Sequence, residues 1–247
     1  MATKRYLKNA PIREGLIDIQ FEPPVSMENL KSFESLVRER FAESKTLWHQ
    51  EVGFGVSSEG GLEVTRQGAS RAPIGFRMED KERVLIFRTN GFTYSKLAPY
   101  KKWNDLREAA KALWAEFVQV VKPEVVTRIA VRYVNVLPLP VDLDDFSSFL
   151  EAAPSVPKAL PQGLASFLQR VVMVDPQQGR QAIVTQALEN SQQAGNTVDV
   201  ILDIDAFRQI RAASSADEVW SGLDNLRDFK NDIFFEHITE RTASIFE

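Results

Sequence analysis

From Leu16 to Phe21 the chain reads Leu-Ile-Asp-Ile-Gln-Phe, and this alternation of apolar and polar positions predicts a strand with one buried face. Pro23 and Pro24 end it. Beyond Ser26, a natural N-cap, Met27, Leu30, Phe33, Leu36, Val37 and Phe41 recur at helical spacing and predict a helix with one apolar stripe. Strand-like runs follow at 50–57, 61–66, 72–79 and 83–93, separated by turn residues at the spacing of an antiparallel meander. A long helix opens at Pro99 and runs to about 121, with Trp103, Leu106, Ala110, Leu113, Trp114, Phe117 and Val121 on its buried side. Pro123 marks its end.

The pattern then recurs. Val125 to Leu137 is the strongest strand, with Pro138 and Pro140 as its stop. Residues 142–152 read as a short helix with an acidic start at Asp142 to Asp145, and 153–163 as a loop. Strands are predicted at 164–175, 179–188 and 197–205. A last long helix starts near Ser215, with Glu218 as its capping-box partner, and runs to about His237 through Trp220, Leu223, Leu226, Phe229, Phe234 and Phe235. The predicted class is α+β: antiparallel sheet with long helices packed on one face. The shared order of strand, helix, strands and tryptophan helix suggests a duplicated unit. Its halves are 1–123 and 124–247, expected to form one compact body.

Composition narrows the chemistry. The 247 residues are 44% hydrophobic and 26% charged, ordinary for a globular protein. There is no cysteine, which excludes disulfides and thiolate metal sites and is compatible with a cytoplasmic location. The N-terminal stretch lacks the apolar core of a signal peptide, and no run is long and apolar enough to suggest a membrane span. A net charge of −4 gives no support for a nucleic-acid footprint. A dinucleotide fingerprint and a P-loop are both missing. Neither His49 nor His237 stands in an H-x-x-x-H or H-E-x-x-H pattern, and no serine elbow accompanies them, so each reads as a surface or structural histidine.

Three groups carry the candidate chemistry. Arg132 lies among apolar residues of the strand 125–137 and needs a carboxylate or a bound anion to offset desolvation. Asp18 is the natural internal partner, and Arg88 and Arg128 are further arginines of this kind. Cross-strand ion pairs are one reading; an anion-binding cleft lined by Arg88 and Arg132, with Tyr133 and Asn135 on the same strand, is the other. Asp199, Asp203 and Asp205 share one strand face and have the hard oxygen ligands that suit Mg²⁺ or Mn²⁺, although a wet face paired with arginines gives the same pattern. In the last helix, Lys230 and Asn231 read as belonging to a terminus where the dipole favours cations, beside an unusually wide apolar stripe. The tail Ser244 to Glu247 reads either as an apolar anchor or as frayed.

Leu7-Lys-Asn-Ala-Pro-Ile-Arg-Glu14, Arg132-Tyr133-x-Asn135 and Lys230-Asn-x-x-Phe-Phe-x-x-Ile-Thr239, with Trp103 and Trp220 between them, resemble a sporadically distributed bacterial family of proteins of about this length. One departure is Glu14-Gly15, where that family usually has Glu-Ala. The resemblance spans nearly the whole chain and implies a full-length unit; it transfers no catalytic role.

The functional expectation is therefore a soluble ligand- or partner-binding protein without evident catalytic machinery or cofactor. Its partner would be an anionic small molecule, another protein or a second copy of itself. Two alternatives stand beside it. One is a nuclease-like, metal-dependent phosphoryl-transfer enzyme using Asp199, Asp203 and Asp205. The other is a nucleic-acid binder using Arg88, Arg128 and Arg132.

Overall fold

The computed structural model describes residues 1–50, 55–56, 62–63, 71–140, 146–154, 157, 166–189 and 197–247. The elements in order are β1 (Ile12–Glu22), α1 (Met27–Val37), β2 (Glu43–Gln50), β3 (Gly55–Val56), β4 (Leu62–Glu63), β5 (Arg71–Glu79), β6 (Arg83–Arg88) and β7 (Gly91–Leu97). Then come α2 (Trp103–Val121), β8 (Val125–Pro140), β9 (Leu168–Asp175), β10 (Arg180–Glu189), β11 (Thr197–Ala213), α3 (Asp217–His237) and α4 (Glu240–Ser244). Nine strands form one antiparallel sheet in the order β2-β5-β6-β7-β1-β8-β11-β10-β9, while β3 and β4 pair with each other. The protein is α+β, as the periodicity predicts.

The sheet is continuous across its middle. β1 and β8 pair from Ile12 opposite Asn135 to Glu22 opposite Val125. Outward from this pair, one side runs β7, β6, β5, β2 and the other β11, β10, β9. Each half thus places its first strand centrally and its last strand beside it. A duplicated unit would leave that order, and so would simple hairpin connectivity.

α2 packs on β1 and β7, α3 on β8 and β11, and α1 on α2 and β5, so one face of the sheet is covered by helices. The alternation of β1 works as expected: Ile17, Ile19 and Phe21 are buried against the helices, and Asp18 and Gln20 turn to the other face. Aromatic rings fill the first half of the core. Phe117 meets Phe33 edge-on at 5.1 Å and lies 5.3 Å from Phe92 and 5.5 Å from Trp114. Trp103 and Trp114 also tie the halves together: Trp103 Nε1 donates to Asp224 of α3 at 2.8 Å, and Trp114 Nε1 donates to the Ser214 carbonyl at 2.9 Å.

Several boundaries differ from the sequence pattern. Ser26 caps α1 by accepting from Asn29 N–H, but the helix stops at Val37. A 3-10 turn follows, and Phe41 reaches the core from extended backbone while Leu36 is half exposed. The run 83–93 is two strands, folded at Thr89-Asn90 so that Arg88 faces Gly91. α2 begins at Trp103, four residues after Pro99, and ends where Lys122 turns left-handed at φ 57°. β8 continues through both prolines. Val136 N–H donates to Pro11 toward the β1 side, so positions 138 and 140 face that same side, where β1 has already ended; no ladder bond is lost there.

β11 extends to Ala213, and α3 starts at Asp217 with Ala216 as N-cap and no side-chain cap, so the Ser215–Glu218 box does not form. Of the predicted helix at 142–152, the described residues 146–152 hold a 3-10 turn at Phe146–Ser148; Asp142 to Asp145, most of the loop 153–163, and most of the runs 50–57 and 61–66 lie outside the described residues. The C-terminal tail docks: Phe246 is buried in the core, and its carbonyl accepts from Asn9 N–H. No described helix is long and apolar enough to cross a membrane. β9, the outer strand of the second half, exposes Leu168, Val172 and Val174.

Candidate functional site

Beneath the helices, four pieces of chain enclose a cavity of about 350 Å³. β8 supplies Tyr133 and Asn135 from its helix-facing side. α3 supplies Arg227, Lys230, Asn231, Phe234 and Phe235. The segment before α2 contributes Tyr100 to Trp103, and the N-terminal segment contributes Lys4 to Leu7 and Ala10 to Ile12. Six lining residues are cationic (Lys4, Arg5, Lys101, Lys102, Arg227 and Lys230), and no Asp or Glu is among those described. The cavity is therefore electropositive in a protein whose net charge is −4.

Lys230 is the unusual member. Leu223, Leu226, Lys230, Ile233 and Phe234 follow the apolar period of α3, which places a lysine at a core position, 6% exposed. Among the described residues it has no carboxylate partner. Its Nζ stands 3.7 Å from the centre of the Tyr133 ring. Burial pushes its pKa down to about 7, and the positive charges of Arg227 and Lys4 push the same way. The face of Tyr133 works against that shift by attracting the ammonium form. Lys230 is thus not the helix-terminal cation that its sequence position suggests, because α3 continues for seven more residues to His237.

Tyr133 carries a second contact. Its hydroxyl meets that of Tyr100 at 2.6 Å, with the rings edge-on and 5.4 Å apart. Burial raises Tyr100 to about 12 and Tyr133 well above the ordinary phenol, so both are neutral proton donors near neutral pH. The pair sits over Gly15 of β1: a Cβ there would lie 2.8 Å from Tyr133 and 2.9 Å from Tyr100. Glycine at position 15 gives both rings their room. Asn135 is buried and donates its side-chain amide to the Leu202 carbonyl at 2.9 Å, which fixes its orientation toward β11.

The rim cations are mostly paired outside the cavity. Lys4 meets Asp232 at 2.6 Å, Arg5 meets Glu240 and Glu247 at 2.9 and 2.7 Å, Lys102 meets Asp105 at 3.7 Å, and Arg227 meets Asp228 at 2.7 Å. Their acidic partners are not part of the cavity lining.

The arginines singled out from the sequence lie on the face opposite these helices. Asp18 takes Arg128 at 3.1 Å, Arg88 at 3.4 Å and the Thr93 hydroxyl at 2.7 Å. Arg128 continues to Asp205 at 3.3 Å and lies over Phe207. The expected Asp18–Arg132 pair does not form: Leu16 is opposite Arg132 on β1, and Arg132 instead grips Asp203 with two bonds of 2.9 and 2.6 Å. Arg88 and Arg132 therefore do not share a cleft with Tyr133 and Asn135.

Asp203 and Asp205 are each matched to an arginine, and burial raises the Asp205 pKa. Among the described residues no group of three or more His, Asp or Glu that could hold a metal ion is present, and Asp199, Asp203 and Asp205 form no such group. His237 meets the Ile233 carbonyl through Nδ1 at 2.7 Å, an interaction within its own helix.

The residues that the sequence reading passed over are Tyr100, Gly15 and the inward aim of Lys230. A signal was present for the last, since a lysine stood where the 3–4 spacing of α3 required an apolar side chain. No family model matches the chain, and no curated protein matches it in sequence.

Proposed function

We propose that this protein binds a small anionic molecule in the cavity between β8, α3 and the N-terminal segment. The observation that carries the proposal is Lys230: a buried amine with no carboxylate partner among the described residues, facing a cavity lined by cations. Folded proteins rarely bury a lysine without a counter-charge, because desolvating it costs several kcal/mol. An anionic group entering the cavity offsets that cost and restores the ammonium. Asn231 and the neutral phenols of Tyr100 and Tyr133 add hydrogen-bond donors, while Trp103, Phe234 and Phe235 provide apolar walls. The three segments that carry the family resemblance, at 7–14, 132–135 and 230–239, each contribute to this lining. A cytoplasmic location suits a chain with no cysteine and belongs to the same proposal.

The test is thermal melting in acetate, benzoate and phosphate against chloride at equal ionic strength. Wild type gains melting temperature with at least one of these anions, and Lys230→Met gains none. Equal gains in both proteins, or none in either, contradict the proposal.

A further inference from the structure

We propose that Lys230 is an imine-forming lysine whose ε-amine condenses with the carbonyl of a small anionic oxo compound, an α-oxo acid being the simplest case. The proposal deepens the anion-binding reading and rests on it.

Three requirements of amine–carbonyl condensation meet in this cavity. The first is an amine that can be neutral. A lysine held by a carboxylate is locked as ammonium and has no lone pair to offer; Lys230 has no such partner among the described residues and is 6% exposed. Burial brings its pKa to about 7, with Arg227 and Lys4 acting in the same direction, so a large share of the amine is unprotonated near neutral pH. The second is room beside the nitrogen: about 350 Å³, walled in part by Trp103, Phe234 and Phe235, suits a small molecule and limits the water that reverses imine formation. The third is a proton source for the carbonyl oxygen. Nζ lies on the face of Tyr133, whose hydroxyl shares a 2.6 Å hydrogen bond with Tyr100, and both phenols are protonated. The carboxylate of the oxo acid lies against the rim cations and not against Nζ, so the amine that meets the carbonyl keeps its lone pair.

The step balances without any further reactant. The Nζ lone pair forms a bond to the carbonyl carbon, and the carbonyl π pair moves to oxygen, which takes a proton from the tyrosine pair. Nitrogen gives up one proton, returning it to the pair; the resulting carbinolamine takes that proton back on its hydroxyl and loses it as water, and the iminium nitrogen then returns its remaining proton to the pair. Amine and carbonyl become imine and one water, with no net oxidation or reduction.

The experiment treats the full-length protein with pyruvate and borohydride and maps adducts by peptide mass spectrometry, with propionate as the carbonyl-free control. Melting is measured with both anions. The expected result is a reduced pyruvate adduct on Lys230 in wild type, its loss in Lys230→Arg, and no adduct with propionate. Peptide mapping of wild type locates the adduct independently of how any variant folds. If pyruvate and propionate both raise the melting temperature but Lys230 stays unmodified, or adducts fall only on surface lysines such as Lys31 and Lys81, the imine proposal is overturned and anion binding stands. If neither anion raises the melting temperature and no adduct forms, the binding reading fails and takes the imine with it.

Discussion

Replacing Lys230 with methionine removes a charge that the folded protein holds out of water, and the consequence has a definite pH signature. The amine falls from its ordinary 10.5 to about 7 on folding, chiefly because burial disfavours the ammonium. At about 1.4 kcal/mol per pH unit, that gap is a penalty of about 5 kcal/mol when the group is fully protonated in both states. That gap is the net effect, the ammonium–Tyr133 attraction included, so Lys230→Met should be more stable than wild type by about 5 kcal/mol at pH 6. The folded pKa lies below the unfolded one. Between about pH 7 and 10.5 the unfolded chain therefore binds the extra proton, and wild-type stability gains on the variant as pH rises through that window. The penalty is complete below pH 7 and gone above 10.5. Urea unfolding of both proteins at pH 6, 7, 8, 9 and 10 reads the difference directly. The advantage of the variant should shrink by about 1.4 kcal/mol per pH unit above pH 7. A difference that stays flat from pH 6 to 10 would refute the buried, partner-free amine, whatever its size.

The other expectations concern linkage, the polar face and the core. Anion binding re-protonates Lys230, so calorimetry at pH 8 in two buffers of different ionisation enthalpy should show uptake of close to one proton, absent in Lys230→Met. Asp18→Ala leaves Arg88 and Arg128 without their shared carboxylate and should cost about 2–3 kcal/mol by urea unfolding. Arg132→Ala removes a pair whose arginine is 46% exposed and should cost less than about 1 kcal/mol in the same assay. Phe117→Ala empties the centre of the aromatic cluster and should cost about 3–5 kcal/mol.

Much of the architecture was legible in the sequence because one-sided burial writes its period directly into the residues. Ile17, Ile19 and Phe21 alternate with Asp18 and Gln20, and α2 repeats its apolar stripe from Trp103 to Val121, so both elements could be read without knowing their neighbours. What tertiary context decides was not legible. β8 passes through Pro138 and Pro140 only because β1 ends before them, which no local pattern records. Phe41 continues a helical stripe yet reaches the core from extended backbone.

The candidate site followed the same division. Arg88, Arg128, Arg132, Asp18, Asp203 and Asp205 are readable as a charged strand face, but their pairing depends on register, and that register pairs them with one another. Tyr133 and Asn135 were named with Arg132, although alternation turns them toward the helices and the cavity. Lys230 resembles a helix-end cation in the sequence because cations are common there; its place in the 3–4 repeat of α3 is the better guide. Tyr100 and Gly15 come together with Tyr133 only through the pairing of β1 and β8, a contact between distant segments that sequence spacing does not announce.

Binding in the cavity turns on the state of one amine, whose titration can be followed directly. With the lysine side chains labelled at ¹³Cε and the Lys230 signal assigned by its absence in Lys230→Met, the chemical shift is recorded against pH in chloride and then with saturating acetate or benzoate. The expected midpoint is about 7 in the free protein and moves upward when the anion fills the cavity. A midpoint at the ordinary 10.5 in the free protein, or one that no anion displaces, would contradict it.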